Sequence, residues 1–466
     1  MVFAGIPFLY YFLPIVLILY FAVPKLLKNT VLLVASLLFY AWGEPKYVFL
    51  MLVTIVVNYV LGLLIEKYRG NSLAKVFLVI SVVFSIGLLG YFKYADFFIK
   101  NFSAITGISV NLLNITLPIG ISFYTFQILS YTVDVYRGQV TAQKNLLSLG
   151  TYIAFFPQLI AGPIVRYKDI AHQLECRTHS IEKAASGIRR FVIGFSKKII
   201  LANTLGELCS SFHTTDDKSV LFYWLFAICY MLQVYFDFSG YSDMAIGLGK
   251  IFGFDFCENF RYPFISKSIS EFWRRWHISL GNCFRDYVYI PMGGNRVGRP
   301  RFILNMFTVW MLTGFWHGAE WNFIIWGLYF AVFLVVEKFF LAGKIEKVRG
   351  LNHIYVLFIT AISFVIFSAG NLKDAVAYTG GLFGAGNIPI VSESLVFAVR
   401  NYGFTIVIAA LASTPLFVKT KEFIMKKKTL SVCCDILEIP VLLMLLFVAT
   451  GYLADGTFNP FLYFRF

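Results

Sequence analysis

Charge is scarce in this chain, and acid scarcer than base. Asp and Glu number 25 against 40 Lys and Arg in 466 residues, and charged side chains make up 14% of the total, where a soluble globular chain carries about a quarter. So few charges cannot coat a water-soluble fold of this length, which argues against the soluble classes. Cysteine is sparse as well: seven are scattered at 176, 209, 229, 257, 283, 433 and 434, with no Cys-x-x-Cys pair and no matching histidine spacing. That pattern argues against a zinc site or a disulfide framework, so free thiols and no metal centre are expected. G-x-S-x-G, P-loop and H-E-x-x-H signatures are missing, and "GGNRVG" (293–298) lacks the strand and helix of a nucleotide fingerprint. Serine hydrolase, ATPase and metalloprotease chemistries are therefore poor fits. The first apolar block, "GIPFLYYFLPIVLILYFAVP", follows no basic n-region and precedes no small-residue cleavage site, so it is expected to be a retained first helix.

What is abundant is apolar surface, with 59% hydrophobic and 18% aromatic residues. A membrane-crossing helix needs about 20 apolar residues, and runs of that kind lie near 7–24, 30–43, 46–65, 75–97, 116–136, 190–206, 220–240, 303–318, 321–341, 354–370, 396–418 and 436–454. The expected fold class is an all-α polytopic membrane protein, one integral domain over 1–466 without internal repeats. The net charge of +15 sits in the loops 25–29, 66–75, 166–190, 261–301, 346–350 and 419–428. Lys and Arg in such loops mark the cytoplasmic face and meet anionic lipid, which places the partner charge in the bilayer and not in nucleic acid. The poorer loops 207–219 and 371–394 are expected outside, and the alternation closes if "LGTYIAFFPQLIAGPIV" (149–165) dips in and returns on the same side. Its backbone could then be tolerated only inside protein or against a water-filled cavity.

Three polar stretches interrupt the apolar pattern. The longest, 257–301, interleaves Arg274, Arg275 and Arg285 with aromatic residues. It reads either as a lipid-facing interfacial anchor or as a basic platform for an anionic donor, since guanidinium forks bind phosphate and Trp and Tyr favour the headgroup level. His277 lies within it and has both a structural and a functional reading. The second stretch, 233–250, places Gln233, Asp237, Ser239, Tyr241, Ser242 and Asp243 directly after an apolar span. It is expected to be a hydrogen-bond network at a helix break or part of a catalytic cavity, and in either form it can orient a histidine. The third is "GFWHGAEW" (314–321), in which His317 occupies the turn between two apolar segments. Ionisable groups at membrane depth are costly and tend to mark function, and an imidazole kept neutral by an apolar site can take a proton from a hydroxyl or thiol.

In order and spacing, "LPIGISFYTFQILSYTVDVYRG", "FFPQLIAGPIVRY", "QVYFDFSGYSDMAIGLG", "EFWRRWHISL", "FRDYVYIPMGGNR", "GFWHGAEWNFIIWG" and "FNPFLYFRF" resemble the membrane-bound O-acyltransferase family, in its alginate O-acetyltransferase branch. The resemblance runs from near residue 1 to the end. It implies a ring or bowl of about 11–12 tilted transmembrane helices with re-entrant and interfacial pieces, and a bacterial cell membrane location. It implies that His317 is the family's invariant histidine and His277 its second. Substrate contacts are expected at Arg274, Arg275, Arg285, Trp276 and Trp316, with Gln233, Asp237, Ser239, Tyr241 and Asp243 as a supporting polar network. No cofactor is expected to be resident. Acetyl-CoA is the expected donor, an extracytoplasmic SGNH-type acetyltransferase the expected partner, and a polysaccharide such as alginate or peptidoglycan the expected acceptor. D-alanyl transfer to teichoic acid is the rival within the family, opposed by "YIPMGGNR" after "FRDY". A transporter with a proton-relay histidine is the rival outside it. Cys283 stands where the family often has a bulkier residue, and is expected to serve packing.

Overall fold

The structure, a computed structural model, describes residues 3–341, 343–348, 350–456 and 461. Among the described residues every regular element is a helix. Eight of these helices are long and apolar enough to cross a membrane: Lys25–Gly43, Tyr47–Lys67, Ser72–Thr106, Val220–Ile251, Trp321–Leu341, Leu351–Ser368, Glu393–Ala412 and Ser431–Asp455. The last two are barely covered by protein, and the second of them turns Ile436, Leu437, Leu443, Met444 and Phe447 outward. In water such a surface would be ruinous, whereas lipid tails satisfy it.

The other four expected spans form helices too, but shorter or more polar ones. Near the N-terminus the apolar helix is Phe8–Ala22, and 303–318 lies in Arg299–His317. The run 190–206 is divided among Ile181–Ser196, a π-helical turn Lys197–Ala202 and Asn203–Thr214. The run 116–136 becomes Ile121–Tyr136, a helix of 16 residues that buries Ser122, Thr125, Gln127, Ser130, Thr132 and Asp134 beside its apolar side chains. Such a helix is solvated by protein on all sides, so its sequence need not be uniformly apolar.

Contacts divide the chain into two compact units. Residues up to Phe191 together with Met244–Cys257 form one; Val192–Asp243 together with the described residues from Glu258 onward form the second. In the first unit, Asn145 caps Leu146–Ala154 by accepting from the amides of Leu147 and Ser148. After it the chain runs without regular structure through buried residues 155–165, the segment expected to need a protein enclosure. Side chains supply its partners. The Phe156 amide donates to Ser36 Oγ (3.1 Å), Gln158 Nε2 donates to the Tyr152 carbonyl (2.9 Å), and the Tyr152 hydroxyl reaches the Val165 carbonyl (3.0 Å). Gly120, at φ +76°, lies so close that a Cβ there would stand 2.8 Å from the Leu159 carbonyl oxygen.

In the second unit, the stretch expected to break the helix after 240 stays helical, because Val220–Ile251 is one element of 32 residues. Its polar side chains have protein partners instead of a break. Lys198 pairs with Asp237 (2.5 Å) and Lys197 with Asp243 (2.7 Å). Gly240 lets the Gly194 carbonyl approach to where a Cβ would be 2.7 Å away. Farther along, Arg299–His317 and Trp321–Val336 form a hairpin whose helices nearly touch. A Cβ on Gly327 would meet the Trp310 carbonyl oxygen, and one on Gly314 the Phe323 carbonyl oxygen. Small residues at such crossings replace the hydrophobic drive that lipid cannot provide. Gly327→Ala is therefore expected to cost about 1–3 kcal/mol and to lower the unfolding temperature of the detergent-solubilised protein. Gly403→Ala, in a helix with nothing within 4 Å of the new methyl, should leave that temperature unchanged.

Candidate active site

The site is assembled from two places in the second unit where helices stop. The first lies in the long polar stretch. Ser268 caps the short helix Ile269–Arg275 through its side chain, and the buried Glu337 carboxylate accepts from the amides of Ile269 (2.5 Å) and Ser270 (2.9 Å) and from the Ser270 hydroxyl (2.7 Å). A negative group at a helix N-terminus satisfies orphan amides and complements the helix dipole. The chain then turns at His277, whose backbone is left-handed (φ 43°, ψ 52°), and re-enters a helix at Ile278–Phe284. A non-glycine residue held there is uncommon and marks a constrained position.

Asn259 supplies the constraint. Its carbonyl accepts from the Ile278 amide (3.0 Å). Its side-chain Oδ1 accepts from the Ser279 amide (3.2 Å) and the Ser279 hydroxyl (2.9 Å), and lies 3.1 Å from His277 Nδ1. Asn259 Nδ2 donates to Ser242 Oγ (3.1 Å) on the long helix. The imidazole is 1% exposed and its ring meets Phe238 edge to face at 4.6 Å. Burial, and after it the nearby charge of His317, holds His277 well below the ordinary histidine range, so the ring is neutral near pH 7.

The second stop is the tip of the glycine hairpin, where Arg299–His317 ends at His317. This imidazole is 5% exposed and is framed by Trp316, Trp326 and Phe367 at ring-centre distances of 4.9, 5.0 and 5.4 Å. Trp316 also flanks His277, at 6.0 Å. The two histidines expected from sequence are thus brought together around one indole.

A cavity of about 710 Å³ leads to His277, with Arg274, Arg285 and Lys338 among its walls. Of the three arginines grouped from sequence, Arg274 and Arg285 line it, and Arg285 also contacts Asp286 at 2.7 Å. Arg275 points elsewhere, held by Glu271 (2.8 Å) and by the Arg261 carbonyl (3.0 Å). Trp276 is packed among Phe260, Phe264, Phe272 and Phe364. On the long helix, Gln233 and Ser239 are buried, Asp237 and Asp243 are paired with lysines, and Tyr241 meets Phe461 at 4.7 Å. From that stretch Phe238 meets the His277 ring directly, and Ser242 reaches His277 through Asn259. Sequence reasoning passed over Asn259, Glu337 and Lys338. An Asn in "CENFRYPF" and a Glu-Lys pair ending an apolar run were the available signals.

Residues 141–344 match the family model described as MBOAT, membrane-bound O-acyltransferase family. The chain is 43% identical over 394 residues to "Probable alginate O-acetylase AlgI" of Azotobacter vinelandii, which covers 83% of this chain and 79% of the relative. The chain belongs to the membrane-bound O-acyltransferase family. A protein of the same name from Pseudomonas putida is 38% identical over the full length of both chains. The "Peptidoglycan O-acetyltransferase" of Helicobacter pylori is 33% identical over 82% of this chain and 80% of its own. As a member of the family this is a multi-pass membrane O-acyltransferase.

Within this acyltransferase the Glu337 cap bears directly on where Arg274 and His277 stand. Glu337→Ala would leave buried amides at the start of the Arg274 helix unpaired, at about 1–3 kcal/mol each. It should lower the unfolding temperature in detergent, and Glu337→Gln, which keeps one acceptor oxygen, should recover part of the loss.

Proposed function

We propose that the chain is a membrane O-acetyltransferase of the bacterial cytoplasmic membrane. It takes acetyl from acetyl-CoA at the cytoplasmic face and passes it toward hydroxyls of an extracytoplasmic polysaccharide. The observation that carries this reading is a cavity walled by Arg274, Arg285 and Lys338 that reaches the buried imidazole of His277, with the buried His317 on the other side of Trp316. A thioester has the energy for acyl transfer, and CoA carries phosphates at one end and its reactive carbon at the other. The cavity supports that polarity. The names of the alginate and peptidoglycan relatives support acetyl as the group moved and a polysaccharide as its destination. An SGNH-type extracytoplasmic acetyltransferase fits as the carrier that completes delivery.

In this reading a hydroxyl oxygen attacks the acetyl carbonyl carbon, a C–O bond forms, and the C–S bond breaks. His317 takes the hydroxyl proton on its ring nitrogen and returns it to the departing thiolate, so ester and free thiol leave with no net proton change. Apolar walls suit a base that must stay neutral between turnovers. Arg274 and Lys338 bind phosphate far from the reacting carbon, so their contribution is shared by ground and transition states.

Membranes containing the chain should release free CoA from acetyl-labelled acetyl-CoA when an acceptor is supplied. His317→Ala should slow that transfer by about 10²–10⁴ while the protein still accumulates; retention of about a third of the rate would rule His317 out as base. Arg274→Ala should raise the KM for acetyl-CoA about 10- to 150-fold, as loss of a charge-assisted contact implies, with kcat held. Arg275→Ala, which removes contacts to Glu271 and Arg261, should leave KM unchanged and lower stability. Equal KM effects at both positions would remove the cavity as the donor site.

A further inference from the structure

The hydrogen bonds around Asn259 fix more than a loop. A backbone amide can only donate, so the side-chain atom of Asn259 that receives the Ser279 amide at 3.2 Å must be the oxygen. The opposite end, Nδ2, is then the donor to Ser242 Oγ at 3.1 Å, and the amide cannot flip without setting two donors against each other. The same oxygen lies 3.1 Å from His277 Nδ1. An amide oxygen has no hydrogen to give, so the imidazole must supply the proton from Nδ1. In a neutral ring the other nitrogen then carries the lone pair. That nitrogen, Nε2, is buried and accepts no hydrogen bond among the described residues, in a side chain that lines the cavity beside Arg274.

We infer that Asn259 is a positioning residue: it locks His277 as the Nδ1–H tautomer and so presents Nε2 as a proton acceptor inside the cavity. The left-handed backbone of His277 and the Ile278 amide bonded to the Asn259 carbonyl hold the ring in that register. Tautomer selection of this kind is set by whatever the second ring nitrogen bonds to. An acceptor-type Nε2 receives a hydrogen bond from a hydroxyl or thiol brought into the cavity, and cannot donate one to a carbonyl oxygen. His277 is thereby assigned to the hydroxyl or thiol side of the transfer, and an oxyanion-stabilising role through Nε2–H is ruled out. The consequence for rate rests on the acetyl-transfer reading above, but the tautomer itself does not.

Nitrogen spectroscopy of histidine-labelled protein in lipid bilayers tests the lock without any activity. His277, identified by loss of its signals in His277→Gln, should show the neutral Nδ1-protonated pattern in the unsubstituted protein. That pattern should collapse to a mixture in Asn259→Leu and persist in Asn259→Asp, which keeps an acceptor oxygen. A neutral Nε2-protonated ring in the unsubstituted protein would overturn the inference. In acetyl-CoA turnover, Asn259→Leu should lower kcat about 10- to 100-fold with the donor KM within about twofold, and Asn259→Asp should restore most of the rate. Because Asn259 acts through His277, Asn259→Leu combined with His277→Ala should be no slower than His277→Ala alone. Multiplying losses would show that Asn259 works by another route. If the unsubstituted protein shows the expected tautomer but no acetyl transfer, the functional reading fails and the lock stands.

Discussion

A buried polar group in a membrane-embedded protein has no water to fall back on, and that constraint governs the buried irregular parts of this molecule. Where a helix is continuous, its own ladder answers the requirement. Where the chain leaves the helix, side chains take over. Ser36 and Tyr152 serve the buried turn at 155–165, Glu337 serves the helix that starts at Ile269, and Asn259 serves the turn at His277. Each of these side chains costs desolvation by itself and becomes stable only by completing a set of backbone bonds. The site is therefore built from the residues that make breaks in the helices permissible.

Function follows from where those breaks fall. His277 sits between two seven-residue helices and His317 at the tip of a hairpin. Trp316 lies against both rings. Close backbone contact at Gly314 and Gly327 gives the hairpin little room to shift, so the position of His317 is set by packing of main chain and not by adjustable side chains. Arg274, Arg285, Lys338 and the His277 ring share the lining of one cavity.

Much of this was legible in the sequence. Low charge and long apolar runs read as an all-α membrane fold, and His317 stood out as the one histidine in the turn between two apolar segments. The arginines read as a platform, but one-dimensional spacing could not separate Arg274, which faces the cavity, from Arg275, one residue on and turned to Glu271. The stretch 233–250 looked like a helix break because its polar residues exceed what lipid tolerates. Lys197 and Lys198, forty residues earlier in the chain, pair with its carboxylates and let the helix continue. Asn259 was illegible for the same reason. Its value lies in three partners at 242, 277 and 279 that only the fold brings together.

If the chain acts as proposed, the donor phosphates and the reactive carbonyl occupy opposite ends of one cavity in the second unit. The direct measurement is a structure of the protein bound to a non-transferable thioether analogue of acetyl-CoA. Bound as the account proposes, the analogue shows phosphate density against Arg274 and Lys338 and places its acetyl end beside the rings of His317 and His277. An analogue bound with its phosphates away from Arg274, or with its acetyl end remote from both rings, would contradict it.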